Sequence, residues 1–323
     1  MKIRYTLDDS AARLPLTIRS ADAVWDRAAD LRNAPGVQLV EITTQHMANT
    51  GATLLDELGH YFDHERPSDT DPYALQACYQ AQPVLEDLWR HLSDGETHLV
   101  DFSAVEALFP PTFKRELHFM LALTTVGFPV FGYVRTYKDS EDEEYHGMVI
   151  NLAQAQPHLE SLLGEFSLSM LLDTIRHGFF NHEGFLLAYA EYCESVGHVN
   201  NRLADRIKHA LLSRGIAWYL SYQHNLDFYD DVLANTDDLA EDTARFNQML
   251  IEAGDRRALD DAFDDLVHAA HLPNDSCIDV VGYHAARTIA DELGTGGLRT
   301  AIVQGPDHFI NLYNMRAEHK LQV

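Results

Sequence analysis

The feature that most constrains this fold is a change of hydrophobic period in the middle of the chain. Three short runs at residues 116–123, 128–134 and 148–152 are rich in aromatic and aliphatic residues and bounded by Gly and Pro, which predicts strands. On either side, apolar residues recur every three or four positions, the period of a helix with one buried face. Helices are predicted over 20–32, 44–64 and 73–92, with Pro67-Ser68-Asp69-Thr70-Asp71-Pro72 as a break. After Leu152 all the patterns are helical: 166–193, 203–222, 230–251, 257–271, 280–293 closed by Gly294, and 306–313. The expected class is mostly α (α+β), a helical domain with a small antiparallel sheet. Residues 1–95 would form an N-terminal helical region and 96–323 the main domain. No Gly/Ser linker forces a split, so one continuous domain is the alternative.

Charge narrows the partners. The 323 residues carry 50 Asp+Glu against 24 Lys+Arg, a formal charge of −26, which opposes a phosphate backbone. No nucleic acid is expected. No run approaches the length of a membrane-spanning helix, and the start shows no secretory pattern, so a cytoplasmic protein without membrane attachment is expected. Cys78, Cys193 and Cys277 are too few and too scattered for a disulfide framework or a cysteine zinc site. There is no Gly-x-Ser-x-Gly elbow, Gly-x-Gly-x-x-Gly turn or phosphate-binding loop to support other chemistries.

The stretch richest in chemistry is Asp173-Thr174-Ile175-Arg176-His177-Gly178-Phe179-Phe180-Asn181-His182-Glu183. A His-Glu-x-x-His helix puts two imidazoles four residues apart on one face, with a glutamate to activate zinc-bound water. Here His177 fills the first slot, Gly178 stands where the glutamate belongs, and Asn181 stands where the second histidine belongs. A shifted frame, His182-Glu183-Gly184-Phe185-Leu186, keeps the first His and the Glu but has Leu for the second ligand. On an α-helix His177 and His182 would point about 140° apart and would not chelate together.

Further along come Leu211-Leu212-Ser213-Arg214-Gly215-Ile216-Ala217, then Val280-Val281-Gly282-Tyr283-His284 and a terminal Phe309-Ile310-Asn311-Leu312-Tyr313. Over roughly residues 100–316 this order resembles a family of zinc-dependent peptidases with a gluzincin-like layout. The resemblance implies a third ligand at the position of Arg214, which cannot bind zinc, and a tyrosine at Tyr283 that would steady an oxyanion in active relatives. Here Tyr283 is expected to pack or to donate one hydrogen bond. Of the four residues the mechanism needs, only His177 survives in the first frame, so no cofactor is expected. His60 and His64, spaced i and i+4, are weak metal candidates, as are His177 and His182; His268 and His271 are weaker still.

The leading expectation is a catalytically degenerate zinc-peptidase-like protein that binds a peptide or protein partner. One alternative is an active metal-dependent hydrolase, with zinc on non-standard ligands such as His177 or His182 helped by Glu183 or Glu191. Another is an acidic oligomeric scaffold. The oligomeric state is left open by the sequence.

Overall fold

The computed structural model describes residues 1–93, 99–138, 144–197, 202–222, 239–257 and 277–322. Contacts divide the chain into two compact units. One comprises Ile3–Leu99 with Glu116–Ile175, and the other Val100–Arg115 with Arg176–Val323 and the first two residues. Among the described residues no helix is long and apolar enough to cross a membrane.

The first unit holds the sheet. Its strands are β1 (Lys2–Asp8), β2 (Glu116–Thr124), β3 (Gly132–Lys138) and β4 (Glu144–Asn151), in the spatial order β1-β2-β4-β3. β3 and β4 pair antiparallel, with Val134 opposite Met148, as expected of a hairpin. β4 then lies parallel to β2, with Leu121 opposite Met148, so the sheet is mixed rather than antiparallel throughout. From Phe119 onward β2 is buried on both faces, which is the mark of an inner strand. β1 was not predicted because it lies at one edge of the sheet and its alternation is weak: Ile3 is buried, but Tyr5 and Leu7 face solvent. The middle strand begins at Gly132 rather than 128, since Pro129 lies in the turn before it and cannot donate to a ladder.

Helices cover this sheet. In α1 (Ser10–Thr17), Ala11, Ala12, Leu14 and Leu16 are buried, and Thr124 of β2 donates to the Ala11 carbonyl at 3.4 Å. α2 (Ala21–Asp26) is capped by Ser20, and α3 (Ala28–Asn33) follows immediately, so the predicted 20–32 helix breaks at Arg27. α4 (Pro35–Met47) starts on a proline at its first turn, where the missing N–H costs nothing. The predicted 44–64 helix is therefore two. α4 ends at Met47, and α5 (Leu54–His64) restarts where Thr53 accepts from the Asp56 amide. α6 (Leu75–Gln80) and α7 (Gln82–Ser93) share the 73–92 pattern, and α9 (Ala155–Leu163) and α10 (Leu168–Asp173) complete the unit.

The second unit is helical. α8 (Ser103–Leu108) precedes it in sequence, and α11 (His182–Ser195), α12 (Leu203–Tyr222), α13 (Leu239–Ala253), α14 (Cys277–Gln304) and α15 (Pro306–Asn314) follow. α14 is interrupted at Gly294, where φ is +64°; the residue expected to stop a helix does so, and helix resumes directly after it. The long 166–193 pattern is one run with a change of winding. Thr174–Asn181, between α10 and α11, is a π-helix. The predicted 257–271 helix, with His268 and His271, lies outside the described residues apart from Arg257.

The innermost contact of this unit is the crossing of α12 and α14 at two glycines. A Cβ on Gly282 would sit 2.7 Å from the Leu211 carbonyl oxygen and 2.9 Å from Gly215 Cα. Only glycine at both positions lets the two backbones touch. That contact sets the neighbours: Arg214 lies one residue before Gly215, and Asp279 lies one turn before Gly282. Against α11, Phe102 fills the space above Gly184, while Phe109, Phe113, Phe185 and Tyr192 form an aromatic cluster with centroids 5.2–5.9 Å apart.

Candidate functional site

α11 and α12 run antiparallel, and three pairings fix their register. Ser221 Oγ donates to the Gly178 carbonyl at 3.5 Å, the rings of His182 and Trp218 lie 4.5 Å apart, and Tyr189 is hydrogen-bonded to His209 Nδ1 at 2.8 Å. In this register Trp218 stands level with Asn181–His182 and Arg214 with Phe185–Leu186. His177 is level with Tyr222, roughly 12 Å along the axis from Arg214 at 1.5 Å per residue. The helix contacts therefore bring Arg214 opposite the His182-Glu183-Gly184-Phe185-Leu186 frame rather than the His177 frame.

His177 and Asn181 do share a face: Asn181 Nδ2 donates to His177 Nδ1 at 3.4 Å, and Asn181 is buried. A divergence of about 140° between His177 and His182 holds only on an α-helix. In a π-helix, hydrogen bonds close from i to i+5, so residues five apart project from nearby faces. Two imidazoles alone are nonetheless short of the three protein ligands of a catalytic zinc site.

Around His182 a polar cluster is built from three helices. Its Nδ1 donates to Glu183 Oε1 at 3.0 Å. Across from it, Arg214 Nη2 of α12 binds Asp279 Oδ2 of α14 at 2.5 Å. Asp279 is fully buried, whereas Arg214 keeps 26% of its side chain in solvent. Burial pushes the Asp279 carboxyl above its usual range, opposed by the Arg214 charge, the Trp218 indole N–H and His182. The indole N–H is directed at the Asp279 carboxylate, while His182 Nε2 is shielded from solvent and has no partner. Tyr283 is buried with its ring edge-on to Tyr222 and His284, at 5.6 and 5.5 Å.

Asp279 and Trp218 were missed by sequence reasoning, although signals exist for both. Asp279 interrupts the apolar run Ile278–Gly282 one turn before the glycine crossing, and Trp218 follows Arg214 by four, on the same face of α12. Glu191, the other acid considered as a helper at a non-standard metal site, is bound by Arg115 at 2.9 Å. His60 and His64 lie on α5 in the other unit. Their rings stack at 4.3 Å, only 20° from parallel, and His64 Nδ1 donates to the His60 carbonyl, which leaves that nitrogen already engaged.

The donor set does not suit zinc. Among the described residues no three His, Cys, Asp or Glu side chains gather in a way that could hold a metal ion. Asp279, the acid across the cluster from His182, is already engaged by the Arg214 guanidinium, whose fixed charge repels a divalent cation. No curated protein and no solved structure matches the chain. The similarity to a known family lies in the second unit: residues 185–322, a stretch holding Arg214, Asp279 and Tyr283, match the family model described as "Putative zinc dependent peptidase (DUF5700)".

Proposed function

We propose that this chain is a zinc-peptidase relative that has exchanged its metal for an ion pair and acts by binding a peptide or protein rather than by cleaving it. The observation that carries the reading is the Arg214–Asp279 pair. A permanent cation stands level with Leu186, four residues after His182, where the resemblance calls for the third zinc ligand. A buried carboxylate needs a counter-charge, and here arginine supplies it where a metal otherwise would. Without a metal no group on the cluster generates a hydroxide nucleophile, so what the gluzincin-like layout offers is a place for an extended chain to dock.

Leu186→His with Arg214→Glu rebuilds all four positions in the frame that the helix register favours. After dialysis against zinc-containing buffer, the parent is expected to retain no stoichiometric zinc, and the double variant about one ion per chain by this count of ligands. The parent is also expected to bind fluorescein-labelled casein, an unfolded protein, without cutting it. One zinc per parent chain together with casein hydrolysis would overturn the proposal in favour of a hydrolase with His182 as a ligand. That second reading has one observation behind it: a His182 ring oriented by Glu183 with its Nε2 unpartnered is how a metal-binding imidazole is held.

A further inference from the structure

Past α15 the chain holds one side chain tightly and leaves its neighbours in solvent. Residues 315–322 form neither helix nor strand, and Glu318, His319, Lys320 and Gln322 are exposed, yet Leu321 keeps only 4% of its surface in solvent. Two asparagines from different helices hold the backbone around it. Asn314, the last residue of α15, donates from Nδ2 to the Leu321 carbonyl at 2.7 Å and accepts the Leu321 amide at 2.8 Å. Asn247 of α13 donates from Nδ2 to the Lys320 carbonyl at 2.9 Å and accepts the Gln322 amide at 2.8 Å. That is the pattern of an inner strand, in which residue i pairs through both its groups on one edge and residues i−1 and i+1 pair on the other. Side-chain amides here stand in for the neighbouring strands. Reversing either amide would set donor against donor and acceptor against acceptor, so both orientations are fixed. The Lys320 ammonium lies on the carbonyls of Asn314 and Ala317, at the end of α15 where a positive charge is favoured.

We infer that the seat between Asn247 and Asn314 is a docking site for an extended peptide with a basic residue followed by an aliphatic one, held in this chain by its own Lys320-Leu321-Gln322. The inference deepens the peptide-binding reading and rests on it for the partner. The four asparagine contacts are to backbone atoms that every peptide carries, so they supply affinity. The buried place of Leu321 and the carbonyls under Lys320 supply selection. A chain of formal charge −26 also favours a basic partner. The resident segment leaves apolar surface in solvent beside both asparagines. Ile251, one turn beyond Asn247 on α13, and Met315, directly after Asn314, are 58% and 64% exposed, the highest values for large apolar residues among those described. A longer partner has this surface to cover, against a resident segment that competes because it is tethered.

The test uses the full chain and a fluorescein-labelled peptide, Glu-His-Lys-Leu-Gln, blocked at both ends and read by fluorescence anisotropy. Leu321→Asp, which releases the resident segment, is expected to bind the peptide saturably. The parent should bind it about tenfold more weakly or worse, because a tethered segment competes at an effective concentration on the order of millimolar. In the Leu321→Asp background, Asn247→Ala and Asn314→Ala should each weaken binding about tenfold, as the loss of two hydrogen bonds does. With aspartate for its leucine the peptide should not bind, and with alanine for its lysine it should bind about threefold more weakly. Should Leu321→Asp fail to fold, the parent alone decides: saturating peptide should speed amide hydrogen exchange at Leu321 and Gln322 by displacing them. Peptide binding that neither asparagine change weakens overturns the site. So does the absence of both binding to folded Leu321→Asp and faster exchange in the parent, which makes the segment a structural tie only. A parent dimer abolished by Leu321→Asp would make a second copy the occupant and overturn the choice of partner. Casein bound by the parent without any peptide response overturns this site and leaves the peptide-binding reading standing. Casein bound by neither the parent nor Leu321→Asp removes that reading, and the partner with it.

Discussion

At the scale of single residues, the Arg214–Asp279 pair dominates. Arg214→Met strands a buried carboxylate and should cost about 3 kcal/mol in urea unfolding, the low end for a broken buried pair because the arginine is partly solvated. Adding Asp279→Leu should recover most of that loss, since replacing both partners removes the desolvation penalty as well. The pH dependence has a definite sign. Burial, the largest influence, raises the folded Asp279 pKa above 3.8, so the folded chain holds this proton more tightly than the unfolded one. The cost of the charged form is absent below pH 3.8 and grows as pH rises toward and past the folded value. Relative to Asp279→Asn, the parent should lose stability as pH rises through this window; a flat or rising difference would contradict the desolvation argument. The sequence showed the oddity of arginine in a ligand slot. It did not show the partner, because Asp279 is 65 residues away and only the helix crossing joins them.

The crossing itself belongs to the scale of elements. Gly282→Ala would drive a methyl group into the Leu211 carbonyl and the Gly215 backbone, neither of which is a flexible side-chain end. Overpacking of this kind costs about 1–3 kcal/mol, and the helices must part to relieve it. The melting temperature should fall and the Trp218 environment should change along with it, whereas Gly296→Ala, with nothing near its Cβ, should leave Trp218 undisturbed. Helix 203–222 was legible residue for residue because apolar residues recur along its whole length, from Leu203 through Leu211 and Ile216 to Leu220. The turn of π-helix at Thr174–Asn181 was not, because its neighbours on both sides keep the α period, and one extra residue per turn leaves no mark in composition. That change of winding brings residues five apart, His177 and His182 among them, toward one face.

For the whole molecule, charge is the property that the sequence states outright. A formal −26 implies self-repulsion that salt screens, so the thermal midpoint should rise as KCl is increased from low to physiological ionic strength and beyond. A midpoint unmoved by salt would mean that the acids are already paired. The described ion pairs include several arginines bound to acids three or four residues away, among them Arg202–Asp205 and Arg90–Glu86. The chain order of the two units was not legible. Val100–Arg115, which precedes the strands β2–β4, groups with the C-terminal helices, and Arg299 of α14 holds the Ala107 carbonyl of that segment at 3.0 Å.

The sequence alone determined the mostly helical class, the three central strands, the glycine helix stop at Gly294 and the similarity of the C-terminal part to a peptidase family model. All of these rest on local periodicity or on residues that act within a few positions of one another. Tertiary structure decided the strand order, which places β4 between β2 and β3 and makes the sheet mixed. It also decided the identity of the polar cluster, in which His182, Trp218, Arg214 and Asp279 come from three helices. The physical reason is the same in both cases. Pairing across a sheet and contact across a helix crossing depend on register between distant segments, and that register is set by close packing, here at Gly215 and Gly282, and not by any neighbouring residue's preference.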